Sequence, residues 1–370
     1  MNWPMVKLGD VCQITMGQAP SGSFYNEKGQ GYALIAGAGD FGQINPIPKK
    51  YTTKASKLSK SGDIILCIRA TIGDLNWSDK EYCLGRGVAG LRGKERLDQG
   101  FLWHCLNYNK NTLSSKGTGS TFKQISRNHI EELIIPFPPI EEQKRIAAML
   151  DKADSIRQKR EQAIKLADDF LCATFLEMFG DPVENSKGWQ RMKFSEVGTL
   201  DRGKSKHRPR NAPELLGGIH PLIQTGDVAN SGGYITDYFS TYSDIGLAQS
   251  KMWKKGTLCI TIAANIAKTG ILTFDACFPD SVVGFQPNQH VEIEFIQHWL
   301  GFLQKQLEET APEVAQKNIN LAILRDLDVI VPDKALQMKF KGVVKKVREL
   351  KEKYHNFPDI QPVLSSFHLS

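Results

Sequence analysis

Two glycine-rich stretches have the residue types and spacing for phosphate chemistry. Leu34-Ile35-Ala36-Gly37-Ala38-Gly39-Asp40-Phe41-Gly42 fits G-x-G-x-x-G, with Asp63 about where a ribose-binding acid belongs. Gly198-Thr199-Leu200-Asp201-Arg202-Gly203-Lys204-Ser205 fits G-x-x-x-x-G-K-S without a mismatch. Both patterns work by presenting the free N–H groups of a helix start to a phosphate. Neither is followed by a helical sequence. Pro46 and Pro48 follow the first and Pro209 and Pro213 the second, removing donors and holding the preceding residues extended. Asp63 also precedes the apolar run Ile64-Ile65-Leu66-Cys67-Ile68, whereas a ribose acid follows a strand. Both stretches are expected to be turns between strands; a P-loop nucleotide-binding protein using Gly198 to Ser205 is the competing reading.

Other chemistries are thinly supplied. The seven cysteines form no C-x-x-C pair, and several sit in apolar runs, so buried free thiols are expected rather than disulfides or zinc ligands. The eight histidines lack metal spacing, and His104 and His298 read as packed helix residues; no metal is expected. No stretch approaches 18 uninterrupted apolar residues and MNWPMVKLGD does not read as a signal peptide, so a cytoplasmic protein without membrane association is expected. A formal charge of +7 points toward a polyanionic partner. Residues 1–140 hold 17 Lys and Arg against 11 Asp and Glu, while residues 188–332 hold 14 against 15. The second stretch nevertheless gathers Arg202, Lys204, Lys206, Arg208 and Arg210 around His207, either a solvated loop or a phosphate-contacting one.

At 370 residues the chain exceeds what a single core serves, and it is a repeat. With an offset of 194, Gly62 matches Gly256, Ile68 Ile262, Ala70 Ala264, Ile72 Ile266, Val88 Val282, Gly90 Gly284, Phe101 Phe295, His104 His298, Pro138 Pro332 and Gln143 Gln337. Nearer the start the offset is 186, pairing Trp3 with Trp189, Val11 with Val197 and Gly17 with Gly203. The counterpart of Gly203-Lys204-Ser205 is therefore Gly17-Gln18-Ala19, which has no lysine. Each copy reads as an α+β globule: strands at KLGDVCQIT, GYALIAG, DIILCIRA and GVAGLRG, then at HPLIQTG, TLCITIA and ILTF, with an amphipathic helix near Gly100–Asn109 and Val291–Glu309.

After each globule comes a long helix. From Glu141 to Met178 there is no Gly or Pro, and Ile146, Met149, Ala153, Ile156, Arg160, Ala163, Ala167, Phe170 and Thr174 step by three and four. Phe340, Val343, Val347, Leu350, Tyr354 and Phe357 repeat the rhythm after the second globule. At about 1.5 Å per residue the first would run roughly 57 Å. The expected fold is α+β, two globules in pseudo-two-fold repeat separated by a long antiparallel two-helix coiled-coil spacer. The expected boundaries are a first target-recognition domain at 1–140, a central helix at 141–180, a second target-recognition domain at 181–333, a distal helix at 334–358 and a tail at 359–370. Two related globules on a spacer suit two sites along one extended partner, and for a basic protein that partner is duplex DNA. A purely structural coiled-coil scaffold is the third reading.

The chain resembles the specificity (S) subunits of type I restriction-modification systems. The resemblance rests on Arg69-Ala70-Thr71-Ile72-Gly73, on Leu84-Gly85-Arg86-Gly87-Val88, on IIPFPPIEEQKRIAAMLDKAD at 134–154 and on FLEMFGDPVENSKGW at 175–189, and covers essentially the whole chain. It implies a non-catalytic subunit reading a bipartite, asymmetric site in double-stranded DNA. It implies two DNA methyltransferase (M) subunits docked on the helices and restriction (R) subunits recruited to them. No cofactor is expected in this chain; S-adenosylmethionine is expected in the methyltransferase. The distal helix is shorter than the central one and the second copy keeps less of the family wording.

By loop position the DNA-contacting candidates of the first copy are Gln18, Ser21, Ser23, Tyr25, Arg69, Arg86, Lys116, Thr118, Ser120, Thr121 and Lys123. Those of the second are Lys204, Lys206, His207, Arg208, Arg210, Lys251, Asn265, Lys268, Lys317 and Asn318.

Overall fold

The computed structural model describes residues 3–119, 123–263, 267–310 and 320–355. The chain divides into two compact units at Lys159–Arg160, midway along the central helix Ile140–Phe179. No described helix is long and apolar enough to cross a membrane.

In the first unit Ile64–Cys67 lies inside an antiparallel sheet of order Cys12–Met16, Val88–Gly93, Ile64–Cys67, Leu75–Trp77. Successive side chains of a strand face opposite ways. Ile64 and Leu66 therefore join the core beneath the helix Gln99–Tyr108, with Leu91, Phe101, Leu102 and Leu106. Ile65 faces a second cluster of Ala33, Ile35, Tyr82, Leu84 and Val88. Burial on both faces is why the run is apolar without alternation. The second cluster is roofed by a small sheet of order Tyr25–Asn26, Lys50–Thr52, Tyr32–Ile35, Cys83–Leu84. Leu34 and Ile35 pair with Cys83 and Leu84 in parallel.

The second unit repeats this frame almost to the residue. Cys12–Met16 recurs as Gly198–Arg202, Ile64–Cys67 as Leu258–Thr261, Val88–Gly93 as Val282–Pro287 and Gln99–Tyr108 as Ile293–Thr310. Cys259 occupies the place of Ile65 and turns away from Leu258 and Ile260 into its own cluster with Trp253 and Phe278. One addition is a fifth strand, Tyr234–Ile235, parallel to Thr269–Leu272 at the sheet edge.

Two expectations need correcting. KLGDVCQIT is not one strand: Met5–Lys7 pairs with Ile134–Pro136, Leu8–Val11 makes a helical turn, and Cys12–Met16 starts the main sheet. The turn lets the fully buried Leu8 enter the core while its N–H donates to the Leu133 carbonyl. The heptad seam holds over the middle of the central helix, where Ala153, Ile156, Arg160, Ala163 and Ala167 are half-buried among mostly exposed neighbours, and departs from the expectation at its ends. Met149, Phe170 and Leu350 are 43%, 54% and 46% exposed. At its start the central helix buries the seam residue Ile146 together with Ala147 and Leu150 in the first unit's core, and at its end Leu171, Phe175 and Phe179 in the second's. No residue between 151 and 170 is fully buried. The two ends serve different cores, so there the seam gives way to Ala147 and Leu150 on one side and to Leu171, Phe175 and Phe179 on the other.

Within the second unit the distal helix Lys334–His355 runs antiparallel to the end of the central helix. Phe340 packs edge-on against Phe175 and Phe179, and further along Lys351 Nζ meets Asp168 Oδ1 at 2.5 Å. Val344 and Val347 share the buried cluster.

Both long helices start on the same fastening. Gln143, completely buried, accepts from the Asp98 N–H at 2.8 Å and donates to the carbonyls of Arg96 (3.0 Å) and Pro138 (2.8 Å). Gln337, also completely buried, accepts from the Glu292 N–H at 2.8 Å and donates to the carbonyls of His290 (3.0 Å) and Pro332 (2.8 Å). Replacing Gln337 with Leu strands three backbone groups and is expected to destabilise the second unit by at least about 3 kcal/mol, since each buried unsatisfied group costs roughly 1–3 kcal/mol. Urea unfolding checks this, and a loss under about 1 kcal/mol would contradict it.

His298 sits beside Phe340 at 5.0 Å, its Nδ1 2.8 Å from the Glu294 carbonyl. Burial holds its pKa below the ordinary histidine value; the Glu294 carbonyl and Asp168 oppose that shift. A depressed histidine pKa gives stability that is complete above about pH 6.5 and is lost as pH falls toward and through the lowered value. Unfolding free energy followed downward from about pH 8 should therefore bend near 6.5 in the native chain and less in His298→Gln; superimposable curves would rule this out.

Candidate nucleic-acid interface

The first unit gathers its candidates around one cleft of about 460 Å³ between the two sheets' connecting loops. Tyr25, Arg69 and Arg86 line it, together with Ala19, the neighbour of Gln18. The glycine-rich stretch supplies another wall through Ala36, Gly37, Ala38 and Gly39. Three backbone contacts hold these loops: Gln18 N–H to the Leu84 carbonyl (2.8 Å), Gly85 N–H to Ile35 (2.8 Å) and Gly87 N–H to Ala36 (3.1 Å). Thr118, Lys123 and Gln124 are held here too. Thr118 and Arg69 each bridge to Gln124, and the Ala70 N–H donates to the Lys123 carbonyl at 3.1 Å. Ser21 and Ser23 are exposed and their hydroxyls bond each other at 2.9 Å. Ser120 and Thr121, and in the second unit Asn265, Lys317 and Asn318, lie outside the described residues.

Neither glycine-rich stretch opens a long helix: the first runs from the strand Tyr32–Ile35 into one short helical turn at Ala38–Asp40. Gly198–Arg202 is a strand paired with Val282–Pro287, and an extended backbone turns alternate N–H groups away from any common phosphate. Gly203 is a close-approach turn: a Cβ there would lie 2.2 Å from the Phe278 carbonyl oxygen, and at Gly17 2.1 Å from that of Gly85. Both glycines donate to equivalent carbonyls, Val282 and Val88, at 2.9 Å. The shared turn explains the pattern. Asp63, at the position of a ribose acid, is buried and bound to Arg92 Nε at 2.6 Å.

In the second unit much of the basic loop is neutralised from within. Arg210 lies 2.5 Å from Asp280 and Arg208 3.7 Å from the same carboxylate. His207 is 3.8 Å from Glu214, and the Lys206 and His207 N–H groups donate to Gln249 Oε1 at 2.6 and 3.1 Å. Lys251 pairs with Asp201 at 3.7 Å and lies over the Trp253 ring, and Lys268 Nζ reaches Gln304 Oε1 at 3.4 Å. No ion pair with a described residue is recorded for Lys204 or Lys206. The second-copy candidates are therefore held by their own unit more tightly than their charge suggests. Asp280 was missed as a site residue, although the offset of 194 places it opposite Arg86.

Burial pushes Cys12 and Cys105 up to about 12 and also raises Cys83, Cys259 and Cys277, which keeps those thiols protonated. No group of three His, Cys, Asp or Glu side chains is arranged to hold a metal ion.

The family profile described as the type I restriction modification DNA specificity domain matches residues 1–166 and 186–349. A Methanocaldococcus jannaschii protein named for the type I restriction enzyme MjaX specificity subunit is 39% identical over 171 residues, 44% of this chain and 40% of that protein. The type I restriction enzyme EcoBI specificity subunit of Escherichia coli is 22% identical over 372 residues, 90% of this chain and 76% of that one. Among solved structures, the type I restriction-modification S subunit from M. genitalium superposes with a TM-score of 0.63 at 17% identity, over 96% of this chain and 91% of that one. That likeness is one of fold.

Proposed function

The chain belongs to the type I restriction modification DNA specificity family, and we propose that it is the DNA-recognition subunit of such a system, each unit reading one half of a bipartite, asymmetric duplex site. The observation that carries this reading is the repeat. A frame whose four main-sheet strands recur in both units is fastened by equivalent glutamines to two helices, while the loops differ in sequence and charge. A constant frame with divergent loops suits two readers of unlike sequences. Base edges are distinguished by side chains such as Arg, Lys, Asn and Gln, and phosphates by cations, hydroxyls and backbone N–H groups. The first-unit loops carry both kinds.

In this reading the chain performs no chemistry itself. Two methyltransferase subunits, with S-adenosylmethionine bound in their own chains, dock on the long helices, and restriction subunits join the assembly. The exposed Leu166, Phe170 and Leu176 give the central helix apolar surface for such docking.

The test is to co-express the chain with its methyltransferase and map methylated adenines across the host genome. A split motif that depends on the chain, and of which one half alone changes when residues 188–332 are exchanged for those of a relative, is the expected outcome. Methylation independent of the chain, or a motif in which both halves change on that exchange, would refute the two-reader function.

A further inference from the structure

The first-unit cleft has a composition that DNA recognition in general does not require. Arg69 and Arg86 both enter it, no Asp or Glu lines it, and no pairing of either guanidinium with a described residue is recorded. Gly37 and Gly39 leave its floor open, with nothing within 4 Å of where a Cβ would stand. A volume of about 460 Å³ exceeds what a lone phosphate needs, and falls within the roughly 300–1,000 Å³ of small-ligand pockets. Tyr25 stands in the wall, and an aromatic ring is a stacking platform for a base. Paired guanidiniums recognise phosphate oxygens by forked hydrogen bonds.

The second unit treats the same place in the opposite way. Opposite Arg69 stands Ala263, and opposite Arg86 stands Asp280. The turn carrying Arg86 and Asp280 is the same: Val88 N–H donates to the Gly85 carbonyl at 3.2 Å, and Val282 N–H to that of Pro279 at 3.0 Å. Asp280 then draws in Arg210 and Arg208 from the loop after Gly203. The charge that is open in one copy is closed in the other.

We propose that the Arg69/Arg86 cleft binds a nucleotide phosphate, with the attached ring against Tyr25, and that Asp280 closes the equivalent place in the second unit by holding Arg208 and Arg210. Where bound duplex supplies the phosphate, the proposal rests on the DNA-recognition reading above. Where a free nucleotide supplies it, it does not.

The test uses the full chain assembled with its methyltransferase subunits, native or carrying Arg69→Ala, Arg86→Ala, Arg86→Lys or Asp280→Asn. Duplex affinity is measured by anisotropy over a range of salt, and binding of dAMP, ATP and inorganic phosphate by calorimetry. Each arginine removed should lower the slope of log affinity against log salt by about 0.9. Arg86→Lys should keep the slope, and Asp280→Asn should raise it by freeing two cations. Altered slopes without binding of dAMP, ATP or phosphate assign the cleft to duplex phosphate. Unaltered slopes with Arg86-dependent binding of dAMP or ATP assign it to a free nucleotide.

Unaltered slopes in a complex that binds duplex, with no arginine-dependent binding of dAMP, ATP or phosphate, overturn the cleft and leave the DNA-recognition function standing. A native complex that fails to bind duplex overturns that function instead, and calorimetry alone then decides the cleft. A slope unmoved by Asp280→Asn overturns the closing role of that carboxylate.

Discussion

One buried glutamine at the root of each long helix sets the geometry on which the rest of the molecule depends. Its amide is bonded on both sides: the oxygen takes the N–H at the start of the neighbouring helix, and the nitrogen supplies the carbonyls of two separate loops. An amide that loses any of these partners in a dry interior is left with unmet hydrogen-bonding capacity, so the three segments are held together or not at all. All its partners are backbone atoms. The side chains around the fastening can therefore change from Arg96 to His290, or from Asp98 to Glu292, without altering it. That is how two copies drift apart in their loops while keeping the same attachment of globule to helix.

Around this fixed point the copies have found different chemistry. In the first unit, Gly100 sits close to Ala147 of the central helix, where an added Cβ would come within 3.3 Å, and Asp98 caps its own helix through the Phe101 N–H. In the second, Glu294 and Lys341 stand at the positions of Gly100 and Ala147, and Glu292 binds both Lys334 and Lys341 at 2.8 Å. Burial alone would raise the Glu292 pKa, but the two lysines outweigh it and hold it below the usual value. Close packing of small residues and a partly buried ion network thus do the same mechanical task. The distal helix is also tied to the added edge strand, where Arg348 lies over the Tyr234 ring at 4.1 Å.

Much of this was legible in the sequence because a duplication prints the same constraints twice. The offset of 194 lands Ile64–Cys67 on Leu258–Thr261 and Gln143 on Gln337, so the central strand and the fastening glutamine are found without knowing either fold. What was misread has local physical causes. The two glycine-rich motifs match patterns whose function lies in backbone direction, which one-letter codes do not carry. The heptad seam of the central helix fits its middle and fails toward its ends, because these bury neighbouring positions against different cores. Leu171, Phe175 and Phe179 take the places expected of Phe170 and Thr174. The basic loop was weighed by its own charge, whereas its neutralising partner, Asp280, lies 70 residues on from Arg210.

If loops of both units read DNA, duplex binding covers them while the helical fastenings stay unchanged. Hydrogen–deuterium exchange on the chain assembled with its methyltransferase, with and without target duplex, tests it most directly. The expected result is DNA-dependent protection in the first-unit segments around Tyr25, Arg69 and Arg86 and in the loops of the second unit, with exchange at the roots of both long helices unaltered. Protection confined to one unit, or appearing at the helix roots instead of the loops, would contradict it.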